Sequence, residues 1–130
     1  VRRSNMPYEQ VVRYVAAMAF GPELVNNAAA FDKLIEVMVA NPYAQSLHGF
    51  LRQAKAVLDY APPIRPNTIA SPTLIAVGRN DQLTPPYLAQ QLATQIPGAK
   101  LVTLGGAHMG PVESPDEYAR AFVSFLESSG

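Results

Sequence analysis

Two short segments, the apolar run at residues 73–77 and the strand-like segment at residues 100–104, constrain the fold of this chain more than any other feature. Each has the length of one strand, and the continuous apolar character of the first is typical of strands buried on both faces of a parallel sheet. Between them lies a stretch with the apolar spacing of a helix, at Leu88, Leu92 and Ile96. Because a helical crossover joins parallel strands with a right-handed connection, the second half of the chain is predicted to be a parallel β-α-β-α unit.

Two strands are too few for a stable parallel sheet, which normally contains several strands and is covered on both faces. The sequence therefore predicts an α/β fold that is incomplete within these 130 residues. Strands from outside this segment, or from a second copy of the chain, would complete the sheet. We accordingly expect a homo-oligomer, and not a monomer, that forms through an exposed strand edge and apolar helix faces.

Residues 1–60 are predicted to be helical, residues 61–72 to be a linker, and residues 73–130 to form the α/β unit. In the first segment, three groups of apolar residues recur at helical spacing, and a proline follows each group. Each of these three helices has one apolar face that is expected to be covered. The linker contains four prolines and shows no helical period.

Local signals predict where the helices of the α/β unit begin and what they bury. Thr84 is expected to cap a helix that starts at Pro85. The segment Ser114-Pro115-Asp116-Glu117 matches a capping box, with proline at the first position of the last helix. The residues of that helix expected to be buried are Ala119, Phe122, Phe125 and Leu126.

Charge and composition argue against several classes of function. Ten acidic residues balance ten basic residues, and no basic stripe occurs, so a nucleic-acid partner is not expected. Cysteine is absent and the two histidines lie far apart, so we expect no disulfide and no metal site, and no cofactor is implied. The apolar runs are too short to span a membrane, and no signal peptide is visible. We therefore expect no membrane partner and a cytoplasmic location.

An aspartate and a histidine follow the two predicted strands at the same interval. Asp81 lies four residues after the first apolar run, and His108 lies four residues after the second. Because the carboxyl ends of neighbouring parallel strands meet at one edge of a sheet, both side chains should emerge there. We predict a hydrogen bond of about 2.6–3.2 Å between the Asp81 carboxylate and the imidazole. Such a pair forms the acid and base of a Ser-His-Asp relay.

Each candidate also has a purely structural interpretation. Asp81 follows an asparagine, and such pairs favour turns for local hydrogen-bonding reasons. His108 taken alone can be a satisfied loop histidine, and His48 is expected on a helix as a surface or pocket residue. Two further carboxylates are rival acids. Loop hydrogen bonding explains Glu113 better, and the dipole of the last helix explains Asp116 better.

Residues 71–127 resemble the C-terminal end of the α/β-hydrolase superfamily. Residues 71–81 are similar to the penultimate strand and acid turn of that family, and residues 105–115 to its histidine loop. The likeness is to lactonase-, esterase- and carbon–carbon-bond-hydrolase-like members, the enol-lactone hydrolases among them. It implies that Asp81 is the triad acid, that His108 is the base, and that the substrate is a small molecule with an ester, lactone or similar bond. Residues 1–60 resemble the helical lid of such enzymes.

The nucleophile of the relay has no counterpart in this sequence, because Gly-x-Ser-x-Gly does not occur in it. In this fold the chain order is nucleophile, acid and histidine, so the resemblance implies a nucleophile upstream of Val1. The chain by itself is then expected to be inactive. The alternative function is a catalytically inert or self-associating module without hydrolase activity, and the upstream sequence of the gene would discriminate between the two.

Overall fold

A computed structural model of the chain describes residues 7–43, 45–61 and 65–128. Helices fill the first half, and strands alternate with helices in the second half. The elements are α1 Tyr8–Ala19, α2 Pro22–Val25, α3 Ala28–Val39, α4 Leu47–Leu58, β1 Leu74–Gly78, α5 Pro86–Gln95, β2 Lys100–Leu104, α6 Gly110–Glu113 and α7 Pro115–Glu127. Among the described residues, no helix has both the length and the apolarity that crossing a membrane requires.

The two strands pair in parallel, as the sequence predicts. The register places Leu74 opposite Lys100 and Gly78 opposite Leu104, so both strands end at the same level. Helix α5 connects them and packs on both, and α7 also contacts both strands. Strand β1 begins and ends one residue later than the apolar run indicated. The architecture is therefore a β-α-β-α unit with a two-stranded sheet in the part of the chain described.

The helical half is held together by a core between α1 and α3. Its buried members are Val12, Ala16, Phe20 and Ile35. The backbone becomes extended at Phe20, ahead of the glycine and proline that follow, and α1 therefore ends at Ala19. One element was missed, because the four-residue helix α2 is too short to show an apolar period.

Helix α4 departs from the prediction that each helix has a covered apolar face. The Ser46 hydroxyl caps it by accepting a hydrogen bond from the Gly49 amide at 3.1 Å. The helix is strongly amphipathic, yet all twelve of its described residues escape full burial. Phe50 and Leu51 are each more than half exposed, and Leu58 is 85% exposed. The described part of the chain therefore leaves this apolar face open to solvent.

The predicted caps of α5 and α7 are wrong. Helix α5 begins at Pro86, and Thr84 does not cap it, because its hydroxyl bonds to another side chain described below. Ser114 makes no side-chain capping bond, and the Glu117 carboxylate accepts from the Gly105 amide at 2.7 Å instead of returning to the helix start.

The burial predicted for α7 also needs correction. The residue that the helix buries is Tyr118, whereas Phe125 is half-buried and Phe122 is 44% exposed. Ala119 and Leu126 are exposed as well. The apolar stripe exists, but within the described residues only part of it faces strands, since the sheet there has two of them.

The predicted linker is partly ordered into a single 3₁₀ turn, Pro66–Thr68. The Thr68 hydroxyl donates to the Arg65 carbonyl at 2.8 Å across this turn. Residues 62–64, which carry two of the four prolines, lie outside the described residues. The division at residues 61–72 thus stays a prediction.

Candidate active site

The loops that follow the two strands lie side by side and bring Asp81 and His108 together. The Arg79 amide donates to the Leu104 carbonyl at 2.9 Å, and the Asn80 amide donates to the Gly106 carbonyl at 3.0 Å. The Asp81 Oδ2 atom lies 3.0 Å from the His108 Nδ1 atom. The contact falls within the distance range predicted from the sequence, although the chemical roles of the two groups do not follow from distance alone.

The Asp81 carboxylate is saturated with hydrogen bonds. Its side chain is buried, and Oδ1 accepts from the backbone amides of Leu83 and Thr84, each at 2.9 Å. Oδ2 accepts from the Thr84 hydroxyl at 2.8 Å and also faces the imidazole. The turn interpretation of Asp81 is therefore correct as well, because the carboxylate both organises its own turn and meets His108. Sequence reasoning missed the role of Thr84, for which the Asp-x-x-Thr spacing was an available signal.

Two opposing effects set the charge of this carboxylate. Burial alone would raise the pKa of Asp81, but the hydrogen bonds from Thr84, His108 and Leu83 outweigh it and lower the pKa below its ordinary value. Asp81 is therefore ionised at neutral pH. A carboxylate without a proton can only accept hydrogen bonds, so the Nδ1 atom of His108 has to be the donor.

Folding stability should consequently depend on Asp81 in acid. A lowered folded pKa contributes stability above the unfolded value of 3.8, and that contribution is lost as the pH falls below it. We expect Asp81→Asn to cost on the order of 1–3 kcal/mol of unfolding free energy at neutral pH. The variant should also lose less stability than the native chain between pH 5 and pH 2. Urea unfolding followed at several pH values measures both effects, and parallel pH dependences would contradict the assignment.

His108 is the more exposed member of the pair. Its side chain is 41% exposed, in contrast to the buried carboxylate behind it. With the proton on Nδ1 fixed by Asp81, Nε2 is the nitrogen that can accept a proton. The arrangement can therefore act as a general base toward a hydroxyl group within hydrogen-bonding distance of Nε2.

The close approach of the two loops depends on two glycines. A Cβ atom at Gly78 would lie 2.1 Å from the Ala107 carbonyl oxygen, far inside contact distance. Gly106 has a φ of 82°, a left-handed conformation that residues with a side chain rarely adopt. Together they let β1 end directly against the segment that carries His108.

A groove of about 460 Å³ runs beside this pair and along β1. The Thr73 carbonyl accepts from Lys100, and the Arg79 amide donates to Leu104, so both residues bond toward β2. The backbone amides and carbonyls of successive residues in a strand point alternately to its two sides. Those of Ala76, three positions from each of these residues, therefore point away from β2 and toward the groove. The groove is mostly apolar, with side chains from both flanking helices, Leu88, Leu92, Tyr118 and Phe122. Burial, followed by neighbouring carboxylate charges, raises the pKa of Tyr118, so its phenol stays protonated.

The other candidates lie elsewhere. Glu113 accepts two backbone hydrogen bonds and Asp116 lies in the first turn of α7, so the carboxylate that meets the imidazole is that of Asp81. His48 is exposed on α4. No group of three or more potential metal ligands occurs among the described residues.

Comparison with known proteins gives one family match. The family described as Serine hydrolase (FSH1) matches residues 14–119, which include both strands, Asp81 and His108. A curated relative, a candidate carbamate hydrolase named RutD from Pseudomonas savastanoi, is 36% identical over 61 residues, which make up 46% of this chain and 24% of the relative.

Solved structures with the same fold include three bacterial proteins. A candidate non-heme bromoperoxidase, BpoC from Mycobacterium tuberculosis, is 25% identical with a TM-score of 0.79. The match covers 98% of this chain and 47% of that protein. A hydrolase from Pseudomonas aeruginosa is 30% identical with a TM-score of 0.74, with coverage of 90% and 43%. The enol-lactonase from Burkholderia xenovorans is 23% identical with a TM-score of 0.70, with coverage of 91% and 44%.

The chain thus spans under half of the length of these solved structures and about a quarter of the curated relative. Its helices and parallel strands form part of an α/β-hydrolase fold, as the resemblance of residues 71–127 implied. On the match over residues 14–119, the chain belongs to the FSH1 family of serine hydrolases.

Proposed function

We propose that this chain supplies the acid and base of a serine hydrolase that cleaves an ester, lactone or similar bond in a small molecule. The observation that carries the proposal is the 3.0 Å contact between Asp81 Oδ2 and His108 Nδ1 at the carboxyl ends of adjacent strands. Family membership supports the reaction class. Asp81 is the orienting acid and His108 is the general base in this proposal.

In the proposed mechanism a serine hydroxyl attacks the carbonyl carbon of the substrate while His108 Nε2 takes its proton. The imidazolium is stabilised by the ionised Asp81 carboxylate on its other side. Collapse of the tetrahedral intermediate breaks the bond to the leaving group, which receives the proton from Nε2. Water then repeats the sequence on the acyl-enzyme and releases the acid, which restores the serine and the neutral imidazole.

We further propose that the nucleophile comes from outside these 130 residues. None of the serines in the sequence has glycine two residues before and two residues after it, as a nucleophile elbow requires. The groove along β1 supports this placement, because it lies beside His108 and is bordered by a strand edge. A further strand that pairs with this edge would bring its own carboxyl end to the same rim.

The substrate class in this proposal follows from the family and from the relatives. A carbamate, the class named for the curated relative, undergoes the same carbonyl addition as an ester. Residues 1–60 are assigned to a lid in this proposal.

The experiment that tests the proposal is hydrolysis of p-nitrophenyl acetate by the 130-residue chain alone. Without a nucleophile and an oxyanion hole, turnover should not exceed that of an equal concentration of free imidazole. Each serine is replaced by alanine in turn, beginning with Ser114, which lies between α6 and α7 and next to Gly105 of the histidine loop. Turnover that exceeds the background and disappears in one Ser→Ala variant would place the nucleophile inside this chain and contradict the proposal.

A second candidate function is a catalytically inert module that self-associates. The exposed apolar face of α4, with Leu58 85% exposed, favours it, as does the strand edge along the groove. In this alternative a homo-oligomer buries both surfaces. A gene whose upstream sequence lacks Gly-x-Ser-x-Gly would favour this alternative over the hydrolase.

A further inference from the structure

One carboxylate connects the histidine loop to the helical half of the molecule. Glu113, the last residue of α6, accepts from the Ala107 amide through Oε2 at 2.8 Å. Its other oxygen, Oε1, accepts from the Gly21 amide at 2.7 Å. Gly21 lies just beyond the end of α1 and 92 positions away from Glu113 in the sequence. A single side chain therefore joins the residue before His108 to the end of the first helix.

A second bond fastens the other side of the histidine to the same helix. The Met109 amide donates to the Ala19 carbonyl at 3.0 Å. The residues on both sides of His108 are thus held to the end of α1, one directly and one through Glu113. Met109 also packs against the core between α1 and α3.

The packing around Glu113 leaves little freedom in this connection. A Cβ atom on Gly106 would lie 3.0 Å from Glu113 Oε2, and one on Gly21 would lie 3.0 Å from Oε1. Both peptide units therefore rest closely on the carboxylate. Bonds from amides to a carboxylate are roughly twice as strong as bonds between neutral groups, so this bridge resists displacement more than an ordinary loop contact does.

We propose that Glu113 is a positioning residue for His108, and that through it the end of α1 sets the orientation of the imidazole toward Asp81. The inference rests on the proposed role of His108 as a base. Local loop hydrogen bonding would need only the bond to Ala107. The second bond, to Gly21, makes the helical half a part of the catalytic geometry. Displacement of the end of α1 would then alter the His108–Asp81 contact without touching either side chain.

The test is the tautomer of His108, read from the ¹⁵N chemical shifts of its ring in alkaline solution, where the imidazole is neutral. Contact with Asp81 fixes the proton on Nδ1. In Glu113→Ala we expect the Nδ1-protonated fraction to fall about two-fold or more, because the loop no longer holds the ring against the carboxylate. His48 gives the other ring signals in the same spectrum and should not change.

Amide hydrogen exchange supplies a second readout. Exchange at Gly21 and Ala107 should accelerate by about ten-fold or more in Glu113→Ala, since both amides lose their acceptor. Glu113→Gln keeps the shape but has one acceptor oxygen in place of two, so it should free one of these amides. If Glu113→Ala loses its helical circular dichroism and is therefore unfolded, Glu113→Gln is used for both measurements instead. Asp116→Asn, an exposed acid three positions away, is the matched control and should match the native chain in both readouts.

An unchanged His108 tautomer, together with faster exchange at Gly21 and Ala107, would overturn the inference and leave Glu113 with a structural role only. Unchanged exchange would overturn the bridge itself. Neither readout requires turnover, so the outcome is separate from that of the proposed function. If the tautomer depends on Glu113 but the chain joined with the segment that carries the nucleophile does not hydrolyse esters, the proposed function alone is contradicted.

Discussion

Replacement of His108 by alanine is expected to reduce kcat of the assembled hydrolase, meaning these 130 residues joined with the segment that carries the nucleophile, by on the order of 10⁶-fold. The reason lies in the geometry of the site. Nε2 is the nitrogen that can take the serine proton, and Asp81 occupies Nδ1 at 3.0 Å. Without the ring, the hydroxyl has no acceptor and the leaving group has no proton donor. Steady-state hydrolysis of an activated ester measures this loss.

His48→Ala is the matched control for this experiment, because it removes the other histidine of the chain from the exposed surface of α4. It should leave kcat within about two-fold of the native value. Similar losses in both variants would mean that the decrease reflects general damage to the fold. A His108→Ala enzyme that retains most of its activity would exclude His108 as the base.

Substitution of Asp81 by asparagine should lower kcat by about 10⁴-fold with a much smaller effect on KM. The amide of asparagine can turn an N–H toward His108 Nδ1, which would then accept instead of donate, and the proton would move to Nε2. The base would be in the wrong tautomer for the reaction. Thr84 is poised to reinforce this error, since its hydroxyl lies 3.4 Å from the same Nδ1 atom.

Asp116→Asn is the corresponding control, because it makes the same chemical change at an exposed acid in the first turn of α7. We expect its kinetic constants to match those of the native enzyme. The rate of Asp81→Asn should also stay low as the pH is raised, because tautomer choice, not ionisation, limits it. A recovery of activity at alkaline pH would contradict this explanation.

The parts of the fold that the sequence predicts are those fixed by local patterns. Strand β1 follows an apolar run, β2 is a short segment rich in Leu and Val, and the helix between them has a regular apolar spacing, so the type, order and parallel pairing of the strands could be predicted. The meeting of Asp81 and His108 follows from the same reasoning, since equal offsets after two adjacent parallel strands lead to one edge of the sheet. The positions of Asp81 and His108 can therefore be inferred from local sequence patterns alone.

Most of the features that sequence reasoning missed depend on contacts between distant segments. Thr84 is the exception, because the buried Asp81 carboxylate that accepts from its hydroxyl lies only three residues earlier. Glu117 fits a capping box, but its carboxylate accepts from the Gly105 amide, twelve residues earlier in the sequence. The Glu113–Gly21 bond joins residues 92 positions apart, and no local pattern reports such a pair.

Exposure was also predicted poorly, for a related reason. Amphipathic spacing indicates which face of a helix is apolar, but not whether anything covers it. The apolar residues of α4 and α7 follow the expected spacing and still lie largely exposed among the described residues. Covering surfaces are a property of the whole fold, and this chain spans under half of the length of its solved relatives.

The contact between Gly78 and the Ala107 carbonyl bears on how the substrate range of this enzyme family could be altered. A side chain at position 78 would push away the loop that holds His108, so Gly78 cannot be substituted without disturbing the acid–base pair. Changes intended to alter substrate range therefore have to be sought away from this contact, where a new side chain leaves the acid–base pair in place.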